Sequence, residues 1–281
     1  MIIDILSDLH LDFYFPPERE ANVDAVKSIF DPIFLDNKKS EIGDVLIIAG
    51  DIGHYNQQNL QILKIFQAEY YKHIICVLGN HDYYLINQTA KDDYGMNSFN
   101  RVKEMREMIN AEIGMYCLNG NIIEISGVRF GGCDSSYSNA YLKAYFRSED
   151  HPKSNNLRWK HQINDYKMMF GVNQYNHIYK LELPKIEAVY KECDVMITHV
   201  NPSYLHEHIA PSYINDKNNM FFTFDGHRFI KDGTMKYWVF GHTHNQLEYE
   251  LYGVKCICNP FGYPDESCYG DDIWIKRIKL K

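Results

Sequence analysis

Five short apolar runs are spread along the chain, and polar residues follow each of them directly. The runs are rich in β-branched or aromatic side chains and are Ile2–Leu6, Val45–Ala49, 74–78, Val195–Ile197 and Tyr237–Phe240. Such runs predict strands that are buried on both faces of a sheet. In open sheets whose strands alternate with helices, ligands bind beyond the carboxyl ends of the strands. We therefore expect the polar residues after these runs to meet in one place.

The segments between the first runs predict helices. Residues 59–71 carry apolar side chains at helical spacing and lie between the second and third runs, where a crossover helix belongs. Residues 84–112 have the same kind of spacing and are expected to be mainly helical. The alternation of strand and helix indicates an α/β fold.

Later segments show the alternation that is typical of half-buried strands. Two alternating runs flank a Ser-Gly pair within 122–132, and two more, 246–251 and Val254–Cys258, flank a Tyr-Gly pair. Both patterns predict hairpins. Residues 273–280 alternate once more and predict a final strand. We therefore expect the C-terminal part to be antiparallel sheet attached to the catalytic loops.

The polar residues after the five runs are of metal-binding and acid–base types. They are Asp8-Leu9-His10, Gly50-Asp51, Gly79-Asn80-His81-Asp82, Thr198-His199 and Gly241-His242-Thr243-His244. Asp8 and His10 are two apart on a segment that we expect to be extended, so both side chains would face the same cation. His242 and His244 repeat this spacing. A carboxylate such as Asp51 has two oxygens and can bridge two cations.

Taken one at a time, these residues have simpler explanations. A single Asp or Asn at a strand end is most often a cap or turn residue, and a single His is most often hydrogen-bonded in a loop. Five ordered clusters favour a metal site instead. Oxygen and nitrogen ligands without thiolate suit Mn, Fe, Zn or Mg. Glycines directly precede three of the clusters, which indicates turns or close approach of the backbone to the ligands.

In this order the motifs resemble the calcineurin-like metallophosphoesterase superfamily, whose signature reads D-x-H, G-D, G-N-H-D/E, H and G-H-x-H. The resemblance extends from Asp8 to His244, which is nearly the whole chain. It implies a four-layer α/β fold in which two mixed β-sheets pack as a sandwich flanked by helices. Together with the spread of the ligands, it favours a single domain over residues 1–281 rather than two small ones.

The resemblance also implies two divalent metal ions, with manganese the expected ion in vitro. The ligands of one would be Asp8, His10, Asp51 and His244, and those of the other Asp51, Asn80, His199 and His242. The implied reaction is phosphoester hydrolysis, in which a bridging water is acidified to hydroxide and attacks phosphorus in line. His81 would protonate the leaving oxygen or stabilise the transition state. Asp82 would orient His81.

Departures from one branch of the superfamily narrow the substrate. Ser/Thr protein phosphatases carry arginines in their G-D-x-V-D-R-G and L-R-G-N-H-E motifs, and this chain lacks both. Without these clamps for a dianionic monoester, a phosphodiester or a small phosphomonoester is the expected substrate. A protein phosphatase remains an alternative if Arg147, Arg158 or Arg228 reaches inward. A single-strand nuclease and a non-catalytic scaffold of the same fold are further alternatives.

Two segments outside the motifs, 134–180 and 200–234, lie between ligand-bearing blocks. Long insertions in a compact domain are often lids or binding loops, so one prediction is that these segments overhang the site as caps. The other, which their individual residues favour, is that they are ordinary surface helices and loops with solvated charges. His54 is nearer to the motifs, and we expect it either to contact substrate or to be an exposed loop histidine.

Composition adds weaker constraints. The net charge of −8 argues against nonspecific binding of duplex nucleic acid. The seven cysteines do not form a disulfide framework, and Cys256 and Cys258 are expected to be structural and to share one face of a strand. Neither a signal peptide nor an apolar run of about 20 residues is visible, so we expect a cytoplasmic protein without membrane partners. The oligomeric state stays open.

Overall fold

A computed structural model describes residues 1–16, 21–35, 42–266 and 275–280. Its strands are β1 (Ile2–Leu6), β2 (Val45–Ala49), β3 (His73–Val77), β4 (Met115–Cys117), β5 (Asn121–Ile125), β6 (Val128–Gly132), β7 (Val195–Ile197), β8 (Tyr237–Phe240), β9 (Leu247–Leu251), β10 (Val254–Cys258) and β11 (Lys276–Lys279). They form a five-stranded sheet of order β11-β1-β2-β3-β4 and a six-stranded sheet of order β5-β6-β7-β8-β10-β9.

Helices cover the outer faces of both sheets. They are α1 (Leu11–Tyr14), α2 (Val23–Phe34), α3 (Asn56–Glu69), α4 (Gln88–Asp93), α5 (Ser98–Asn110), α6 (Ala140–Tyr145), α7 (Pro152–Gln162), α8 (Asp165–Met168), α9 (His177–Val189) and α10 (His227–Asp232). Short 3₁₀ turns occupy His81–Tyr83, Arg147–Glu149, His206–His208, Pro211–Tyr213 and Lys217–Phe221.

Alternation along the central strands builds the layers. In β2, Val45 and Ile47 pack between the two sheets, whereas Leu46 and Ile48 pack against the helices of the first sheet. Both faces of such a strand are buried, which explains its continuous apolar sequence. The predicted sandwich of two mixed sheets flanked by helices is therefore confirmed. Cys256 and Cys258 are also on one buried face, as expected.

Strand direction brings the ends of both sheets together. Strands β1 to β4 run parallel in the first sheet, and β6, β7, β8 and β10 run parallel in the second. Just beyond β1, Ser7 pairs with Pro260, which follows β10. The carboxyl ends of the two sets of parallel strands therefore meet at one edge of the sandwich, and the ligand motifs are located there.

The last predicted strand is present as β11 and is antiparallel to its neighbour, as expected. It pairs with β1 in the five-stranded sheet and does not extend the antiparallel pair of β9 and β10. A buried carboxylate explains this position, because Asp4 is inaccessible to solvent and Arg277 of β11 lies with Nε 2.6 Å from Asp4 Oδ1. An unpaired charge would be costly at that position. Residues 273–274 of the predicted strand lie outside the described residues.

None of the helices in the described parts of the chain combines the length and the apolar character needed to cross a bilayer.

Candidate metal centre and active site

The seven predicted metal ligands converge where the parallel strands end. Asp8, His10, Asp51 and His244 each offer a ligand atom within 4.8 Å of the others, and Asp51, His199 and His242 do the same. Asp51 belongs to both groups, which is the geometry that a bridging carboxylate needs. The seventh residue, Asn80, joins the second group because its Oδ1 lies 3.0 Å from His199 Nε2.

Five of these residues have a left-handed backbone. Their φ angles are 52° for Asp8, 41° for His10, 54° for Asp51, 70° for His242 and 51° for His244. Non-glycine residues rarely adopt this conformation, which costs about 1–3 kcal/mol each, and it is concentrated at functional sites. The expectation that Asp8 and His10 lie on an extended segment is wrong. Their side chains reach the same site because the chain turns sharply at each residue.

Two glycines permit very close packing around Asp51. A Cβ atom on Gly79 would lie 2.1 Å from Asp51 Oδ1, and one on Gly50 would lie 2.3 Å from His199 Nδ1. Any side chain at these positions would displace a predicted ligand. The expectation of close backbone approach before the ligands is therefore confirmed at both glycines.

Three of the histidines donate one ring N–H to an outer acceptor. Because the acceptor is a carbonyl or a carboxylate, it fixes the tautomer and leaves the other nitrogen as a lone pair for the site. The contacts are His199 Nδ1 to Ala49 O at 2.8 Å, His242 Nε2 to Phe221 O at 2.8 Å and His244 Nδ1 to Glu266 Oε2 at 2.5 Å. Outer partners of this kind are typical of metal-binding histidines.

The electrostatics around His199 favour a positive charge, whereas burial lowers the pKa values of His10 and His242. Burial alone would lower the pKa of His199, but the Asp51 carboxylate outweighs it and raises the pKa to about 10. The potential that holds a proton there would equally hold a cation. His10 and His244 also face each other, with 3.0 Å between their Nε2 atoms. Two lone pairs cannot approach so closely without a proton or a cation between them, so these residues fit divalent metal ions.

The side-chain amide of Asn80 is held with its oxygen toward the site. Its Nδ2 donates to Asp165 Oδ1 at 3.0 Å and to the Tyr84 hydroxyl at 3.2 Å. Since both donors are used on one side, the carbonyl oxygen points to His199. A neutral oxygen ligand is what the sequence predicted at this position.

His81 belongs to a chain of hydrogen bonds that reaches away from the cluster. Its Nδ1 lies 3.0 Å from His54 Nε2, and His54 Nδ1 lies 2.7 Å from Asp12 Oδ2. The Asp12 carboxylate accepts the proton of His54 Nδ1, so His54 Nε2 accepts from His81 Nδ1. On the other side, His81 Nε2 lies 3.2 Å from the Tyr263 hydroxyl. Burial lowers the pKa of His81 to about 4, so an imidazolium there would release its proton more readily than a free imidazolium.

We expected His54 either to contact substrate or to be an exposed loop histidine, and the second expectation is wrong. Its side chain is only 8% exposed, and it contacts His81 directly. Its partner Asp12 has a signal in the sequence, because it extends the Asp8-x-His10 spacing by one further step. For Tyr263 and Glu266 no such signal exists, since they lie far along the chain from the motifs that they contact.

Asp82 is placed differently from the expectation. Its buried carboxylate accepts hydrogen bonds from the backbone amides of Ile52, Gly53 and Gly79, the last at 2.7 Å. The hydrogen bonds described for this carboxylate do not include the His81 ring. Asp82 thus ties the loop after β2 to the loop after β3, and the contact expected between Asp82 and His81 is made by His54 instead.

A cavity of about 440 Å³ opens beside the cluster. Its lining includes His81 and His242. The first predicted cap segment contributes residues 162–165, and the second contributes several residues between 209 and 223. Among the described lining residues there is no Lys or Arg. The arginines considered for phosphate binding lie elsewhere: Arg158 approaches Glu149 at 3.7 Å, and Arg228 pairs with Glu187.

Residues 1–246 match the family model described as calcineurin-like phosphoesterase. The chain belongs to this family. As a member, it is a hydrolase of phosphoric esters that depends on divalent metal ions. The candidate ligands for these ions are the residues that converge in the two groups described above.

Known proteins resemble the chain over most of its length. An uncharacterised protein of Acanthamoeba polyphaga mimivirus is 27% identical over 94% of this chain and 92% of its own length. The crystal structure of a phosphopantetheinyl hydrolase from Mycobacterium tuberculosis superposes with a TM-score of 0.66 at 15% identity, covering 98% of this chain and 95% of that one. A dimetal phosphatase from Danio rerio gives 0.42 at 14% identity, with 92% and 86% covered. The Mycobacterium structure shares the fold.

Proposed function

We propose that the protein is a phosphodiesterase with a two-metal centre formed by Asp8, His10, Asp51, Asn80, His199, His242 and His244. The observation that supports this most directly is the convergence of these side chains in two groups that share Asp51. Two divalent cations would acidify a water molecule and neutralise the phosphoryl oxygens. Manganese is our first choice for reconstitution.

The chain's own residues supply the remaining steps. Asp51 also accepts the backbone N–H of His81 at 2.8 Å, which fixes His81 relative to the bridging carboxylate. Because the Nδ1 proton of His81 is donated to His54, proton delivery requires the imidazolium form, and in that form we expect Nε2 to pass its proton to the leaving oxygen. Asp12 and His54 stabilise the charged ring from its Nδ1 side, as the acidic member of a catalytic triad does for its histidine.

The charge of the cavity supports a diester over a monoester. A monoester carries two negative charges, and enzymes that bind one usually add an arginine clamp to the metals. Apart from the predicted ligands and His81, the polar side chains of the described lining are amides, hydroxyls and carboxylates, and the remaining ones are aliphatic or aromatic. A diester, with one negative charge and a second ester group, matches such a lining better. The cap role of 134–180 and 200–234 is part of the same proposal, because both segments contribute to the lining.

The test compares bis-p-nitrophenyl phosphate with p-nitrophenyl phosphate in protein loaded separately with Mn, Mg, Zn and Fe. We expect kcat/KM to be at least about 10-fold higher for the diester than for the monoester. The described lining offers no arginine clamp for the second charge of the monoester, and such a clamp would be worth a charge-assisted hydrogen bond. A preference for the monoester would favour the protein-phosphatase alternative. Absence of turnover with every metal, in samples with measured metal content, would favour the non-catalytic scaffold.

A labelled single-stranded oligonucleotide tests the nuclease alternative, which the net charge of −8 disfavours. The wider panel contains cyclic nucleotides, dinucleotides, phospholipid diesters and a phosphopantetheine diester, the last because of the name of the Mycobacterium protein. A cytoplasmic location is our proposal for where the substrate is met.

A further inference from the structure

The cavity beside the metal-binding residues carries four side-chain amides that hydrogen-bond with no other described residue. These are Gln162 at the end of α7, Asn164 directly before α8, Asn218 in a 3₁₀ turn, and Asn245 after the last predicted ligand. Asn218 and Asn245 use their backbone amides in hydrogen bonds, but not their side chains. The Oδ1 atom of Asn218 is buried without a partner among the described residues. Since buried polar atoms nearly always have partners, this oxygen indicates that a bound group supplies one. The other three amides are reached by solvent and line the same cavity.

Other amides of the same cavity are used by the fold. Asn201 donates from Nδ2 to His208 O at 3.0 Å, and its Oδ1 accepts from the Tyr249 hydroxyl at 2.7 Å. Asn219 donates from Nδ2 to Tyr213 O. Among the described lining residues, Gln162, Asn164, Asn218 and Asn245 therefore differ from them, because their side-chain amides make no described hydrogen bond.

Charge excludes a second anionic group. The carboxylates of Asp165, Asp216 and Glu266 line the cavity, and no described lysine or arginine accompanies them. They are already engaged: for example, Asp165 accepts the hydroxyls of Tyr84 at 2.5 Å and of Tyr137 at 2.6 Å. The two proposed metal ions would offset the charge of the reacting phosphate, which they contact, and not that of a second anionic group in the cavity. A further phosphate or carboxylate on the substrate would meet like charges.

A cationic group does not match the amides either. An ammonium has donors but no acceptor, so it would leave the N–H groups of the amides unsatisfied. The apolar walls formed by Ile163, Ile209, Phe222 and Leu247 favour a ligand with an apolar or planar body.

We propose that this cavity binds the non-leaving ester group of a phosphodiester, and that this group is uncharged and carries N–H or O–H donors beside carbonyl acceptors. This rests on the proposed phosphodiesterase function. A nucleobase and an amide-containing chain share the required chemistry. Gln162, Asn164, Asn218 and Asn245 are the residues that recognise it.

Five p-nitrophenyl diesters test the proposal, because they share one leaving group and differ only in the other ester group. These groups are thymidine, N-acetylethanolamine, phenyl, choline and thymidine 3′-phosphate. We expect kcat/KM for the better of the two neutral donor–acceptor esters to be about 10-fold above that of the phenyl ester, the size of a few correctly placed hydrogen bonds. The same margin is expected over the phosphate-bearing and choline esters. The thymidine and acetylethanolamine arms distinguish a base from an amide chain.

Asn218→Leu removes the unpaired amide while keeping a side chain of similar shape. It should lower kcat/KM about 3- to 10-fold more for the preferred neutral ester than for the phenyl ester. Asn100→Leu, at an exposed position of α5, is the matched control. Equal rates for phenyl and both neutral polar esters, or a preference for the phosphate or choline ester, would overturn the inference while leaving the phosphodiesterase standing. No turnover of any of the five esters would overturn the phosphodiesterase itself.

Discussion

The two sides of the active cleft are built by different means. On the metal side, short and sharply turned loops carry the ligands, and outer partners such as Glu266 orient the histidines. On the cavity side, short helices and 3₁₀ turns of 134–180 and 200–234 present amides, and the buried side-chain oxygen of Asn218 has no partner among the described residues. Chemistry at two metals needs fixed positions, whereas a recognition surface only needs groups that the ligand completes. In this proposal the metal side determines the reaction, and the cavity side selects the substrate.

The largest expected effect is on the metal side, at the carboxylate shared by both groups. Asp51→Asn removes one charge and one oxygen, so it should lower metal content and reduce kcat/KM for bis-p-nitrophenyl phosphate by at least about 10³-fold, because the metals supply several kcal/mol of stabilisation. Elemental analysis and steady-state kinetics on the same sample measure both. Asp93→Asn, on the exposed surface of α4, is the control. A variant with full metal content and unchanged rate would show that Asp51 is not a bridging ligand.

The next effect tests proton transfer by His81. His81→Asn should slow hydrolysis of ethyl phenyl phosphate by about 10²- to 10⁴-fold, and slow ethyl p-nitrophenyl phosphate far less, since nitrophenolate leaves without a proton. Metal content should not change. Equal losses on both esters would instead indicate that His81 shapes the site without donating a proton.

Much of the metal side could be predicted from the sequence because its residues are clustered beside strong strand patterns. The strands β1, β2, β7 and β8 have the bounds that their apolar runs indicate, and the third begins and ends one residue earlier than expected. The residues that follow them do converge. The backbone conformation of Asp8 and His10 could not be inferred, since non-glycine residues in the left-handed region have no reliable local signal.

On the cavity side, the sequence predicts only the two segments 134–180 and 200–234, and not which of their side chains face a ligand. No periodicity distinguishes Asn218, which lacks a partner, from Asn219, which has one, because the difference depends on contacts made by distant residues. The sheet of β11 was missed for the same reason, since the pairing of Asp4 with Arg277 joins opposite ends of the chain. Long-range contacts of this kind leave no pattern in a single sequence.

A smaller effect is expected one step behind His81. His54→Gln should reduce kcat about 10- to 100-fold, in line with the losses seen when partners that orient metal-bound histidines are removed. In the double variant with His81→Asn, the His54 change should cost little more, because both residues act through one proton transfer. Additive losses would separate His54 from His81 and assign it a structural role.

The smallest effect should come from the cavity side, where charge can be changed without touching the metals. Asn164 lines the cavity and makes no capping hydrogen bond, so Asn164→Arg adds a cation where the described lining has none. We expect KM for the diester bearing thymidine 3′-phosphate to fall about 3- to 10-fold at low salt, and the gain to shrink as ionic strength rises. Metal content and kcat for the phenyl ester should stay constant, and Asn100→Arg should change neither ester. The Asn164→Arg variant could still discriminate against the phosphate-bearing ester as strongly as the unchanged protein. Selection by charge would then lie with the metal side, and the division between the two sides would not hold.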